Sequence, residues 1–569
     1  MQTENTLIQL FTSLYGLQYQ SLIRDFIAEL KALKGTLDIK PTEKEWYKDA
    51  VVYSLYVDLF NKDFQGLTEK LDYIRSLGAN TLWLLPILDS PMRDAGFDIR
   101  DYRSIRRELF SLPADTPAED TRKLFRNFLD QAHDKGLRVI FDIAMNHTSN
   151  EHPWFIESRK GPENPYRDYY IWNKDTNLYK ETRLLFKGLC PSNWEYDNGW
   201  YFFHRFYEFQ PDLNYRNPKV LIEISRILVF WLSQGVDGFR ADAIPFIWKE
   251  DGTDCENLPQ THTIVKFFRA VLDFLRPGTL LLAEACQPPK EVVKYFGEGD
   301  ECHAGYHFPL MPQIFISVAM ADARPVQQVL SAEVTPSIPP SCQWFTFLRL
   351  HDELTLEMVT PDERDIMNSH YRHDIRWNFR EGEGISARLA ELFKFDAQRI
   401  LQAYSIMLTL PGTPVIYYGD ELGKGNDEAW FDYMTQITGH PDSRFYVRGP
   451  IDWQWVKDQL ANPESFTCKM FNGLSQMLKI RNTHSLFGHG ILCWETPLEN
   501  LPNHVLAWRR IYNGQEMLAI HNLSNQPVNI TLKSSSCSWQ PGFSMGMNET
   551  EKEILTFEPH GFAWLFNIL

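Results

Sequence analysis

The 569-residue chain has no apolar run long enough to span a bilayer. Its first residues, MQTENTLIQLF, lack the basic segment, apolar core and small-residue cleavage site of an export signal. It reads as a soluble protein of the cytoplasm. Paired cysteines are missing too: the 8 Cys stand singly, without the spacing of a zinc site or a disulfide framework, which fits a reducing compartment. Basic excess is absent, and a formal net charge of −17 argues against nucleic acid or an anionic membrane as partner. Also absent is a Gly-rich turn after the first β-rich run, VVYSLYVDLFNKD, which a doubly wound nucleotide-binding sheet would want.

What is present is an acidic chain of 44% hydrophobic and 14% aromatic residues, a composition that suits neutral ligands with apolar faces, sugars above all. Eight short apolar runs alternate with amphipathic stretches: 51–60, 81–87, 138–145, 238–243, 279–285, a weak one at 302–308, 344–352 and 413–421. Near-continuous apolar strands alternating with helices imply a parallel sheet covered on both faces, and eight of them imply a (β/α)₈ (TIM) barrel. The fold class expected is therefore α/β, with a catalytic barrel over 45–485. About seventy residues separate the third and fourth runs, too many for a simple connection, so 148–217 is expected to be an inserted subdomain. Its aromatic stretch 194–209 would cover the insert's own core or line a pocket. Residues 1–44 read as a helical extension docked on the main body; a dimerisation element, and so a homo-oligomer, is the alternative. From 486 short strands with Gly, Pro and Asn turns read as a sandwich-like antiparallel β domain, 486–569.

Acids gather at the ends of the apolar runs. In GVDGFRADA, 235–243, Arg240 and Asp242 lie two apart and so share one face of a strand. A guanidinium there should hold the carboxylate ionised, as a carboxylate nucleophile needs. Asp142, Glu284 and Asp352 end three other runs, with Asn146, His147 and His351 beside them. In a barrel these ends carry the chemistry. Two carboxyl groups across a glycosidic bond divide its cleavage, one protonating the leaving oxygen while the other attacks. Asp242 fits the nucleophile. Glu284, after Leu281, Leu282 and Ala283, fits an acid raised by apolar surroundings. Asp352 would follow the developing charge, and His147 and His351 would donate hydrogen bonds to the ring. Asp142 would orient Arg240, and Asn146 would fix its loop.

The segments Asp142-Ile-Ala-Met-Asn146-His147, Gly238-Phe-Arg240-Ala-Asp242-Ala243, Glu284 in LLAEA and His351-Asp352 resemble, in order and spacing, four conserved regions of the α-amylase family of glycoside hydrolases. The resemblance implies a retaining double displacement with Asp242 as nucleophile, Glu284 as acid/base and Asp352 as transition-state stabiliser. It implies Arg240, His147 and His351 as binding residues. Asp94 is added from a segment reading Asp94-Ala-Gly-Phe97, where Phe97 stands in place of the family's Tyr. Further segments, among them FHRFYEFQPDLNY, FLRLHDELTLEMVTPDERD and LPGTPVIYYGDE, resemble the branch that interconverts maltose and trehalose by moving glucose within the bound disaccharide. Arg444 and Arg448 in DSRFYVRGP resemble two arginines of that branch, with Arg448 expected to reach the sugar. The departures are Leu350 where that branch has Asn, and a short region after Glu421 that would let water compete and turn the protein into a hydrolase of small α-glucosides. The family's calcium loop is replaced by DLFNKDFQGL (58–67), and Lys249 stands where calcium-free members place a Lys. No metal and no cofactor are expected. A barrel that binds sugar without turning it over is the reading from another class, opposed by the presence of all three carboxylates.

Overall fold

The computed structural model describes residues 2–36, 43, 45–186, 188, 190–533, 539–551 and 553–567. Eight parallel strands close into a barrel: β1 Val52–Leu55, β2 Thr81–Leu84, β3 Arg138–Ala144, β4 Gly238–Asp242, β5 Leu280–Ala283, β6 Ala304–Tyr306, β7 Gln343–Phe347 and β8 Thr413–Tyr417. Neighbours in sequence are neighbours in the barrel, and β8 closes it against β1. Nearly every strand residue is buried, as expected when helices cover the outside and side chains fill the inside. Gly238 opens β4 because β5 crosses too closely for a side chain: a Cβ there would lie 2.5 Å from that of Leu280.

All eight expected strands are present, but shorter. The first run ends as a strand at Leu55, and Val57–Asn61 is helical. Val57, Leu59 and Phe60 remain buried, so the apolar run was correct about burial, while a short apolar run does not distinguish strand from helix.

Between β3 and β4 lie a helix, Pro153–Ser158, and a three-stranded antiparallel sheet of Trp172–Asn173, Trp200–Phe203 and Trp194–Asp197. Trp194 and Phe203 pack with Tyr179 and Ile171 in a small core of this segment. The N-terminal helices, α1 Gln2–Tyr15 and α2 Gln20–Thr36, lie against the barrel. Phe11 and Phe26 flank Phe267 at 6.1 and 6.4 Å between ring centres, and the Tyr15 hydroxyl donates to the Tyr215 carbonyl at 2.8 Å. Seven strands between Ile491 and Asn567 form an antiparallel sheet. It is fixed to the barrel helix Ala397–Thr409 by Ser405, whose hydroxyl accepts from the Trp564 indole at 2.7 Å and meets His521 Nε2 at 2.8 Å. Arg510 also donates to the Thr409 carbonyl at the end of that helix, at 2.9 Å. No helix among the described residues is long and apolar enough to cross a membrane.

Candidate active site

Strand register fixes the first group of site residues. Asp142 on β3 pairs with Arg240 on β4, and Arg240 pairs with Leu282 on β5. Side chains two apart share a face, so Asp142, Arg240, Asp242 and Glu284 all point into the barrel at its C-terminal end. Arg240 is the hub. Its Nη1 donates to Asp142 Oδ1 at 2.5 Å and Asp242 Oδ1 at 2.9 Å, while Nη2 sits 2.7 Å from Glu284 Oε1. The Trp83 indole holds the other oxygen of Asp142 at 2.8 Å. Directly after the strand, Ala243 adopts a left-handed conformation (φ 56°), which aims its N–H at Glu284 Oε2, 3.0 Å away. Left-handed backbone in a non-glycine residue is strained and tends to mark functional sites.

The second group surrounds Asp352, past the end of β7. Asp352 Oδ1 accepts from Arg448 Nη2 at 2.9 Å and Arg444 Nη1 at 3.2 Å, and His351 Nε2 lies 3.1 Å from Oδ2. Arg448 also donates to the His351 carbonyl at 2.8 Å. Phe97 stacks on His351, with ring centres 5.5 Å apart and planes 18° off parallel, and Arg240 lies over its other neighbourhood at 5.7 Å. Asp94 faces Arg444 at 3.5 Å and accepts from the Gln210 amide at 3.0 Å. His147 contacts the same amide at 3.3 Å and packs on Phe206.

These residues open into one cavity of about 140 Å³, lined by Asp94, Phe97, His147, Asp242, Glu284, Asp352 and Arg444, with Phe186, Phe206, Phe246 and Phe308 supplying apolar wall. Ligand pockets usually run about 300–1,000 Å³, so this one suits a small ligand. Of the residues expected at the site, Arg240, His351 and Arg448 stand behind the wall. Arg448, expected to reach the sugar, grips Asp352 from the rear instead, and Arg444 lines the cavity in its place. Missed in the sequence were Gln210, Arg183, Phe186, Glu357, Arg380 and Cys286; the last lies two residues from Glu284 and faces Thr355. The position of Cys286 on the same face as Glu284 was a readable signal. The others come from loops without periodicity.

The charge state differs from the simple expectation. Burial pushes the Asp242 carboxyl well above its ordinary range and the neighbouring Glu284 adds to this, while Arg240 opposes it. Asp142 is also raised by burial against the pull of Arg240. One guanidinium serves three carboxyl groups, so none of them has it alone. Glu284 comes within hydrogen-bonding reach of Asp242, which is how it adds to the upward push of burial. Asp352 is the opposite case: burial opposes its charge, yet His351, Arg444 and Arg448 hold it well below the usual carboxylate range. Burial lowers His147, which favours the neutral ring; its Nε2 faces the Gln210 amide nitrogen.

Two supports lie under the site. Lys249 is buried with Nζ 2.7 Å from Asp212 Oδ2 and 2.6 Å from Asn146 Oδ1, so its ammonium ties the segment after β4 to the His147 loop. Asp98 accepts the N–H groups of Arg93 and Asp94 at 3.1 and 3.2 Å, fixing the loop that presents Asp94. In the 58–67 segment Asp63 caps the helix Phe64–Glu69 through the Gly66 N–H at 2.9 Å.

A closed (β/α)₈ barrel with paired carboxyl groups on β4 and β5, a third after β7 and an arginine between them defines the class of carbohydrate-active barrels. The model of the alpha-amylase catalytic domain matches residues 61–471, and the chain belongs to the α-amylase family. It is similar to a trehalose synthase/amylase of Mycolicibacterium smegmatis, at 39% identity over 92% of this chain and 93% of that protein. It is also similar to a trehalose synthase of Pimelobacter, at 38% identity over 92% of this chain and 96% of that protein. Among solved structures, an α-amylase from H. orenii superposes with a TM-score of 0.69 at 25% identity, covering 92% of this chain and 100% of that one.

Proposed function

We propose that this protein moves glucose within small α-glucosides, interconverting maltose and trehalose by a retaining double displacement in the cytoplasm. The observation that carries the reading is the closeness of Asp242 and Glu284 on one guanidinium inside a small cavity. Carboxyl groups in contact leave no room for the water that an inverting enzyme holds between groups about 6.5–9.5 Å apart. The two similar proteins named as trehalose synthases, matched over more than nine-tenths of the chain, support the choice of sugars. Free thiols at every described cysteine fit a reducing compartment.

Asp242 attacks the anomeric carbon as Glu284 gives its proton to the glycosidic oxygen, releasing one glucose and leaving the other on Asp242 as an ester. The freed glucose turns, Glu284 takes a proton from a different hydroxyl, and that oxygen displaces Asp242. Asp352, kept anionic by its arginines, stabilises the positive charge that develops on the ring in the transition state of each step. Arg240, His147, Asp94 and Phe97 hold the transferred glucose, directly or through their neighbours.

Hydrolysis is the second reading, and one observation favours it. No residue of the helix Glu428–Thr438, in the region that follows β8, lines the cavity, and an ester that this region leaves unshielded is open to water. Incubating the full chain with maltose and with trehalose, and resolving all three sugars over time, decides the matter. The other disaccharide ahead of free glucose supports the isomerase. Glucose alone means a hydrolase; no change in either sugar defeats the isomerase and moves the test of the hydrolase to other small α-glucosides.

A further inference from the structure

Gln210 lies in the segment after β3, fully buried, between two residues of the glucose subsite. Its amide oxygen accepts the N–H of Tyr207 at 3.2 Å. Its amide nitrogen lies 3.0 Å from Asp94 Oδ2 and 3.3 Å from His147 Nε2. The network admits one orientation of the amide. Rotated by half a turn, the oxygen would face the Asp94 carboxylate and the NH₂ would face an N–H, replacing attraction by repulsion at both ends. An NH₂ group cannot accept, so His147 Nε2 must offer its lone pair and the ring proton must sit on Nδ1.

We infer that Gln210 is a positioning residue that holds Asp94 and His147 together and locks His147 in its neutral, Nδ1-protonated form. The charged groups facing His147 are Asp94 and Asp212, which favour a proton on the ring, and Lys249, which disfavours it. Asp94 is itself shared with Arg444, and Asp212 with Lys249. Each acid near the ring thus also faces a cation, Arg444 being shared further with Asp352 and Asp442, and burial completes the bias toward the neutral ring. Asp94 and His147 line the same cavity, so the amide that joins them fixes their places in its wall. The functional part of this inference rests on the proposed glucosyl transfer; the tautomer does not.

The test uses the full chain labelled with ¹⁵N-histidine. Long-range ¹⁵N–¹H correlations report the ring tautomer, and loss of a signal in His147→Gln identifies the residue. The wild type should show the neutral Nδ1–H pattern, unchanged between pH 5.5 and 8.5. A wild-type Nε2–H pattern, or an ordinary titration in that range, overturns the inference without any variant of Gln210. Gln210→Met should abolish the lock, giving mixed or Nε2–H tautomers, and lower kcat/KM on maltose about ten- to a hundredfold, as loss of a hydrogen bond to a charged group does. Gln210→Glu should draw a proton to Nε2 and introduce a titration of His147 together with a new limb in the pH profile of kcat/KM. An unchanged His147 spectrum in a folded Gln210→Met protein also overturns it. If neither disaccharide is turned over, the proposed activity falls while the ring spectrum still decides the role of Gln210.

Discussion

Replacing Lys249 with Met isolates the contribution of one buried ammonium to the site. Lys249, Asp212 and Asn146 are all buried, and Nζ lies 2.7 Å from Asp212 Oδ2 and 2.6 Å from Asn146 Oδ1. Met keeps most of the stem and removes the charge. Asp212 would then retain the Arg205 backbone N–H, 3.0 Å from Oδ1, and no cation of its own. Breaking a buried ion pair from one side costs about 3–5 kcal/mol, and the lost bond to Asn146 adds about 1 kcal/mol. Burial lowers the Lys249 pKa even against Asp212, so desolvation offsets much of the attraction in the intact pair. The damage in Lys249→Met is therefore mostly the stranded carboxylate, and adding Asp212→Asn should restore more than half of it. Urea unfolding followed by tryptophan fluorescence measures both. A loss under about 1 kcal/mol in the single variant, or a further loss on adding Asp212→Asn, would refute the reasoning. Activity should fall with stability, because Asp212 forms a β-bridge with His147 and Asn146 precedes it.

Glu284→Gln should lower turnover of maltose about 10²–10⁴-fold while leaving its binding within a few-fold, measured by calorimetry; retained turnover would remove Glu284 from the acid/base role. The kcat/KM profile should be bell-shaped, with an acid limb above the ordinary carboxylate value of about 4, because burial and Glu284 raise Asp242; full activity down to pH 4 would contradict this. Arg448→Leu removes one of the cations that hold Asp352 down, so Asp352 should titrate higher and activity should fail at a higher pH on the acid side, read as a shifted limb. Glu421, pushed up to about 7 by burial although Tyr53 and Tyr73 donate to it at 2.7 and 2.9 Å, binds its proton more tightly folded than unfolded. Its contribution is thus complete below about pH 4.5 and lost by about pH 7, a change of about 3 kcal/mol; Glu421→Gln should flatten the fall of stability across that window.

The barrel was legible because its strands are buried on both faces, so each leaves a dense apolar run that any burial-based reading finds. The boundary error at Val57 has the same origin: the run stays buried after the chain has turned from strand to helix. At the site, residues carried by strands were legible, since spacing by two fixes a common face for Arg240 and Asp242. Gln210, Arg183 and Phe186 were not. Their places depend on how loops fold over the barrel, with Gln210 meeting His147 across 63 positions, and no periodicity encodes that.

The expected charge of Asp242 shows a subtler limit. Two residues on one strand reveal that a guanidinium lies beside a carboxylate, and the inference that the carboxylate is held ionised follows if the pair is alone. It is not alone. Asp142 from β3 and Glu284 after β5 reach the same Arg240, in a place where burial already penalises every charge. A cation divided among three acids opposes burial at each of them less than a paired cation would, and at Asp242 burial wins. Asp352, with two arginines and a histidine beside it, has the surplus that Asp242 lacks. The raised carboxyl at one centre and the lowered one at the other both follow from the ratio of cations to acids, a quantity set by which loops and strands converge.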